Sequence, residues 1–120
     1  MLRGVRGATV AEDNTREAIL RATEELLKKM VEANRIQTED IASIFFSVTH
    51  DLNAEFPAVA ARNLGMSQVP LLCLNEIPVA GSLPKCIRLL IHANVDLAQN
   101  DVRHIYLHAA AQLRPDQAAR

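Results

Sequence analysis

There is no tryptophan in this chain, and aromatic residues are scarce altogether: three phenylalanines and one tyrosine among 120 residues. Whatever core forms must therefore be aliphatic. Cysteine is nearly as rare, and Cys73 and Cys86 are too few for the disulfide framework of a small exported domain. Neither sign of charge prevails, since 13 Lys and Arg stand against 14 Asp and Glu. A nucleic-acid binder normally shows a basic excess or stripe, so that class is disfavoured; a local group of arginines inside a pocket is not. Long apolar runs are missing too. The longest, around Ile41–Val48, is broken by serine and falls well short of the ~18 residues that a membrane span needs. Met1-Leu2-Arg3-Gly4 lacks the apolar run of a signal peptide. These absences point to a cytoplasmic chain that engages neither membrane nor nucleic acid.

What is present amounts to one domain, residues 1–120, with 49% hydrophobic residues. Such a chain buries roughly two-thirds of its unfolded surface. A small aliphatic core gains from surface shared with sister chains, so an oligomer is expected. Leu2–Val10 has a β-branched, glycine-punctuated pattern and reads as a strand, in which Gly4 and Gly7 allow close approach of a backbone or ligand. Asn14 and Glu17 have the spacing of a capping box. Ile19, Thr23, Leu26, Leu27, Met30 and Val31 then recur at helical spacing, to about Asn34. Thr38-Glu39-Asp40 is a helical turn before a strand at about Ala42–Val48. Pro57 and Gly65 bracket a two-turn helix over Pro57–Leu64. Val69–Leu74 reads as a buried strand, and Ile87, Leu89, Ile91 and Ala93 alternate as another. Asn100–Arg103 turns into a last strand, His104–Leu107, and the tail that begins Leu113-Arg114-Pro115-Asp116 is expected to fray. The order β-α-β-α-β-β-β predicts an α+β fold, a mixed sheet with a long and a short helix on one face.

Familiar catalytic motifs fail one by one. Gly4 and Gly7 lie in a strand and precede no phosphate-loop lysine. His104 and His108 are four apart but fall at a strand end without a third ligand, so two surface histidines is the better reading than a metal site. Neither cysteine belongs to a CxxC pair, and no serine sits in a nucleophile elbow. What remains is arginine in apolar settings: Arg6 between Val5 and Gly7, Arg88 between Ile87 and Leu89, Arg114 between Leu113 and Pro115. Each alone could be a solvated surface residue. Arginine is also the side chain best suited to gripping a carboxylate with two hydrogen bonds. Converging on one cleft, with Glu76 among them, they would bind an anionic ligand.

Six short motifs carry a resemblance. They are Arg3-Gly4-Val5-Arg6-Gly7-Ala8-Thr9; Phe56-Pro57-Ala58 with Arg62; Val69-Pro70 followed by Cys73 and Glu76; Lys85-Cys86-Ile87-Arg88; Arg103-His104-Ile105-Tyr106-Leu107; and Leu113-Arg114-Pro115-Asp116. In this order, over residues 1 to about 116, the chain resembles the monofunctional bacterial chorismate mutases of the homotrimeric α/β-barrel type. The resemblance implies three chains packing their sheets into a barrel-like core, with active sites between subunits. It implies the pericyclic conversion of chorismate to prephenate, without cofactor or metal. Carried over motif by motif, Arg88 is the cation that meets the departing ether oxygen. Arg6 and Tyr106 hold a substrate carboxylate, Glu76 and Cys73 meet the ring hydroxyl, and Glu76 also faces the ring's growing positive charge. Phe56 packs on the ligand, Arg62 and Arg114 line the entrance, and Leu113 helps to close it. Two positions depart from the family pattern. Val59 stands where it has a lysine at the rim, and Leu72 replaces a polar residue, leaving only its backbone to serve the substrate.

Fold does not fix function, so two other readings compete. A non-catalytic trimer sensing an anionic metabolite would need carboxylate clamps but no cation aimed at a scissile oxygen. A protein-interaction module would show an apolar patch and no convergence of arginines.

Overall fold

Alternating side chains set the strands, and an apolar stripe with a 3.6-residue period sets the long helix. The computed structural model describes residues 1–114. In chain order it contains strand β1 (Leu2–Val10), helix α1 (Arg16–Ala33), strand β2 (Ile41–Val48), helix α2 (Ala58–Asn63), and strands β3 (Leu71–Asn75), β4 (Cys86–Asn94) and β5 (Ile105–Tyr106). Short 3-10 helices lie at Thr38–Asp40, Gln99–Asp101 and His108–Leu113. The strands form one mixed sheet in the order β3-β2-β4-β1-β5. β4 is antiparallel to both its neighbours, whereas the outer pairs β2–β3 and β1–β5 are parallel.

α1 lays Ile19, Leu26, Leu27 and Met30 on one face of the sheet, and Ala58 and Ala61 of α2 join the same buried cluster as Phe46, Leu89 and Ile91. The close approach expected at Gly7 is an approach of α1. A Cβ at Gly7 would lie 2.4 Å from Met30 Sδ and 3.0 Å from Leu26 Cδ1. At the end of α2, Gly65 takes φ 87. Its N–H bonds the Arg62 carbonyl and the Met66 N–H bonds the Ala61 carbonyl, the paired bonds of a Schellman ending. Among the described residues, no helix is long and apolar enough to cross a membrane.

Four expectations are corrected. α1 is capped by Thr15, whose hydroxyl accepts the Ala18 N–H at 3.1 Å; Asn14 reaches across instead to accept the N–H groups of Asn53 and Ala54. The Val69–Leu74 strand is no buried strand. It begins at Leu71, forms an edge of the sheet, and leaves Leu72 51% and Leu74 48% exposed. The last strand shrinks to Ile105–Tyr106. Leu113, expected in a fraying tail, closes a 3-10 helix whose Ala110 is fully buried. Arg114 follows it, and the remainder of the expected tail lies outside the described residues.

Candidate active site

The sheet face turned away from the helices carries every second residue of each strand. Register sets Ala8 of β1 and Ser47 of β2 on either side of Arg88, with Tyr106 beyond Ala8 and Leu74 beyond Ser47. The next row along holds Arg6, Leu90, Phe45 and Leu72. Strand spacing puts the Arg88 and Tyr106 backbones about 10 Å apart. Small Ala8 leaves room between them.

Arg88 Nε lies 2.8 Å from Glu76 Oε1. Glu76 is brought there by continuation of β3, its N–H donating to the Val48 carbonyl at 2.8 Å. The contact is ionic and poorly aligned as a hydrogen bond, so the buried Oε1 has no donor directed at it. Arg88 itself depends on how β4 begins. Lys85 sits at φ 51, and its N–H donates to the Asp51 carboxylate at 2.9 Å. The Thr49 hydroxyl donates to the same carboxylate and accepts the Cys86 N–H at 3.0 Å. Burial works to raise the Asp51 carboxyl. The Thr49 hydroxyl, the Lys85 N–H and the Lys85 charge together outweigh it and hold the group below the ordinary aspartate range.

Other candidates gather around the start of α2. Cys73 is in register with Phe46 and so faces the helix layer, on the side of Ala58 at the start of α2. Burial pushes the Cys73 thiol up by more than the Ala58 N–H and the Arg62 charge bring it down, so it is a neutral thiol. Phe56 is 68% exposed on a loop that Asn14 clamps from the foot of α1. Its N–H donates to Glu55 Oε1 at 2.8 Å, and Glu55 Oε2 meets Arg16 Nε at 2.9 Å. That N–H first, then the Arg16 and Arg62 charges, hold Glu55 below the usual carboxylate range against some burial. Arg62 stands exposed in the last turn of α2.

One chain therefore splits the candidates. Arg6, Arg88, Glu76 and Tyr106 lie toward the open sheet face, with Leu72 at the far end of the Arg6 row. Phe56, Arg62 and Cys73 lie at the edge of the helix layer, while Leu113 ends, and Arg114 follows, the 3-10 helix packed beside β1. A depression of about 1200 Å³ opens at the opposite end of the sheet between Asn34, Arg35, Asp96 and Arg103 and holds none of the candidates.

The profile of the family described as chorismate mutase type I matches residues 2–117. The chain belongs to that family. It is 56% identical over 117 residues to the chorismate mutase AroH of Thermus thermophilus, covering 97% of this chain and 96% of that protein. It is 45% identical to the chorismate mutase AroH of Bacillus subtilis (strain 168), over 97% of this chain and 92% of that one. A chorismate mutase structure from Clostridium thermocellum superposes with a TM-score of 0.90 at 50% identity, covering 91% of this chain and 97% of that chain. All ten candidate residues fall within the span that matches the type I chorismate mutase family.

Three residues of this type I chorismate mutase chain escaped the sequence reading. Glu55 holds Phe56, Asp51 starts β4, and His104 accepts the Arg6 N–H at Nδ1, 2.9 Å away. Only Asp51 had a sequence signal, the Thr-x-Asp spacing of a side-chain-closed turn. His104 and His108 part company: His108 Nε2 lies 2.9 Å from Glu25 Oε1 on α1.

Proposed function

We propose that this chain, an enzyme of the chorismate mutase family, converts chorismate to prephenate in aromatic amino-acid biosynthesis. The observation that carries the reading is the Arg88–Glu76 pair on the open sheet face. The reaction is an isomerisation: one C–O bond breaks, one C–C bond forms, and no atom enters or leaves. As the ether stretches, negative charge grows on its oxygen and positive charge on the ring. A fixed guanidinium beside that oxygen binds the transition state more tightly than the substrate, and only such differential binding raises the rate. The contact with Glu76 uses Arg88 Nε, and the terminal amino groups of the fork are the donors for the oxygen. Glu76 faces the ring, whose charge its carboxylate balances. Arg6 and Tyr106 clamp a carboxylate and hold the flexible substrate in its compact reactive form. No cofactor or metal is needed for these steps.

The reading includes a homotrimer in the cytoplasm, each chain a single domain, with active sites between subunits. Its support is the split of the candidates and the character of the open face. Leu72 and Leu74 are half exposed there, and Ile77 and Val79 nearby are 79% and 61% exposed. Apolar surface of that kind marks an interface. A neighbour seated on it would bring Phe56, Arg62 and Cys73 of one chain toward Arg6, Arg88, Glu76 and Tyr106 of the next. Leu113 and Arg114 would close that seam. The sensor reading finds less support, since relatives at 45% and 56% identity carry the enzyme's name. The test is direct: purified protein, with no added cofactor and with chelator present, should deplete chorismate and yield prephenate. Binding of chorismate without turnover would leave a sensor.

A further inference from the structure

A parallel ladder steps by two residues along each strand. Between β1 and β5 it includes the Leu107 N–H to the Ala8 carbonyl at 2.9 Å, with Ala8 in register with Tyr106. One step back, the donor would be the Arg6 N–H and the acceptor the Arg103 carbonyl. That carbonyl is engaged elsewhere. It accepts from Asn34 Nδ2 at 2.9 Å, while the Arg103 N–H donates to Asn34 Oδ1 at 2.8 Å. Asn34 is buried and caps the end of α1, so the chain at Arg103 is tied to the helix and not to the sheet. The orphaned ladder donor is met by a side chain instead: His104 Nδ1 accepts the Arg6 N–H at 2.9 Å. Acceptance there fixes the neutral tautomer with its proton on Nε2, and a ring protonated at both nitrogens has no lone pair to offer.

We propose that His104 is a positioning residue for Arg6: its neutral ring completes the sheet at the one backbone donor from which the substrate-binding arginine extends. The proposal rests on the reading of Arg6 as a carboxylate clamp. Among the described residues, the charged groups facing the depression that His104 shares are Arg3 and Arg6 of β1, beside the uncharged Leu90 of β4 and Gln99 and Val102 of the preceding turn. Protonation of His104 removes the acceptor, so β1 is released from β5 at Arg6. The substrate's carboxylates lose a fixed partner, and binding weakens before the bond-breaking step is touched.

The test is kcat and KM for chorismate from about pH 5.5 to 8, on the natural protein and three variants. The natural protein should show KM rising severalfold as pH falls from about 8 to 5.5, with kcat changing less. His104→Asn places a non-titrating Oδ1 near the position of Nδ1. It should restore KM to within about threefold at pH 8 and abolish the rise in acid. His104→Leu offers no acceptor and should raise KM about tenfold at every pH, the size of one lost hydrogen bond. Arg6→Ala should raise KM and flatten its pH dependence. A KM for the natural protein that ignores pH, or an acid limb that survives in His104→Asn, overturns the proposal, and these two arms decide it even if His104→Leu does not fold. If Arg6→Ala raises KM while the His104 variants behave like the natural protein, the positioning role alone falls. If Arg6→Ala leaves KM unchanged, the carboxylate-clamp reading falls and the proposal with it.

Discussion

The role proposed for Arg88 rests on geometry as much as on charge, because a guanidinium can touch Glu76 through Nε and still present two donors to a substrate. A lysine keeps the charge and loses that fork. Arg88→Lys should therefore lower kcat by about 10²–10³, the effect of removing one preorganised transition-state group, with KM moving far less. Steady-state kinetics on chorismate checks it, and near-natural kcat would unseat Arg88. Asp51 makes a different kind of prediction. Its folded carboxyl titrates below its unfolded value, so its brace adds stability above the ordinary aspartate range and loses it as pH falls through the folded value. Asp51→Asn should lower Tm at pH 7, by a stability change under about 1 kcal/mol for so exposed a group, and the gap should close below about pH 4. A gap that persists in acid would mean that shape, not charge, makes the brace. The contrast between Arg88 and His104 shows what sequence can carry. Arg88 was singled out by the motif Lys85-Cys86-Ile87-Arg88, since an arginine between Ile87 and Leu89 in a strand could by itself be a solvated surface residue. His104 looked ordinary, because its partner is a backbone N–H orphaned by a bond between Asn34 and Arg103, 69 residues apart.

The order of elements was legible because each period is local: two residues for strands, 3.6 for α1. Their surroundings were less so. The apolar run Leu71–Leu74 looks the same in sequence whether a strand is buried or is an edge with exposed side chains, and β3 is the edge. Asn14 and Glu17 have capping-box spacing, yet Thr15 supplies the cap because Asn14 is drawn to the Phe56 loop, some 40 residues on. Glycine at position 7 is an element-scale requirement, since α1 occupies the space a Cβ would take. Gly7→Ala should destabilise the fold by about 1–3 kcal/mol through overpacking against Met30 and Leu26. Denaturant unfolding measures this, and an unchanged midpoint would mean that α1 moves aside without strain. The 3-10 helix His108–Leu113 carries Leu113 and delivers Arg114, both assigned to closure over the substrate. Truncation after Gln112 should raise KM and leave kcat largely intact, because a lid of this kind contributes uniform binding. A fall in kcat at constant KM would put the segment in the chemistry.

At the scale of the whole molecule, the split of site residues between two edges of one chain becomes a statement about assembly. Three chains of 13.2 kDa, about 40 kDa together, should be the active species in light scattering. Mass alone does not show that sites are shared, but mixing defective chains does. Arg88→Ala spoils the open face of a chain and leaves its α2 edge intact. A Phe56→Ala, Arg62→Ala double variant spoils the edge and leaves the face intact. If each site joins the face of one chain to the edge of the next, neither parent has a whole site. Trimers reassembled at random from equal amounts of both regain one wherever an intact face meets an intact edge. That happens at about one site in four, the product of two even chances around a closed ring. At low substrate, where binding defects count fully, the mixture should recover roughly a quarter of the natural kcat/KM, far above either parent. If each chain instead built its site alone, every site in the mixture would keep one defect, and activity would stay at the mean of the parents however long the chains exchanged.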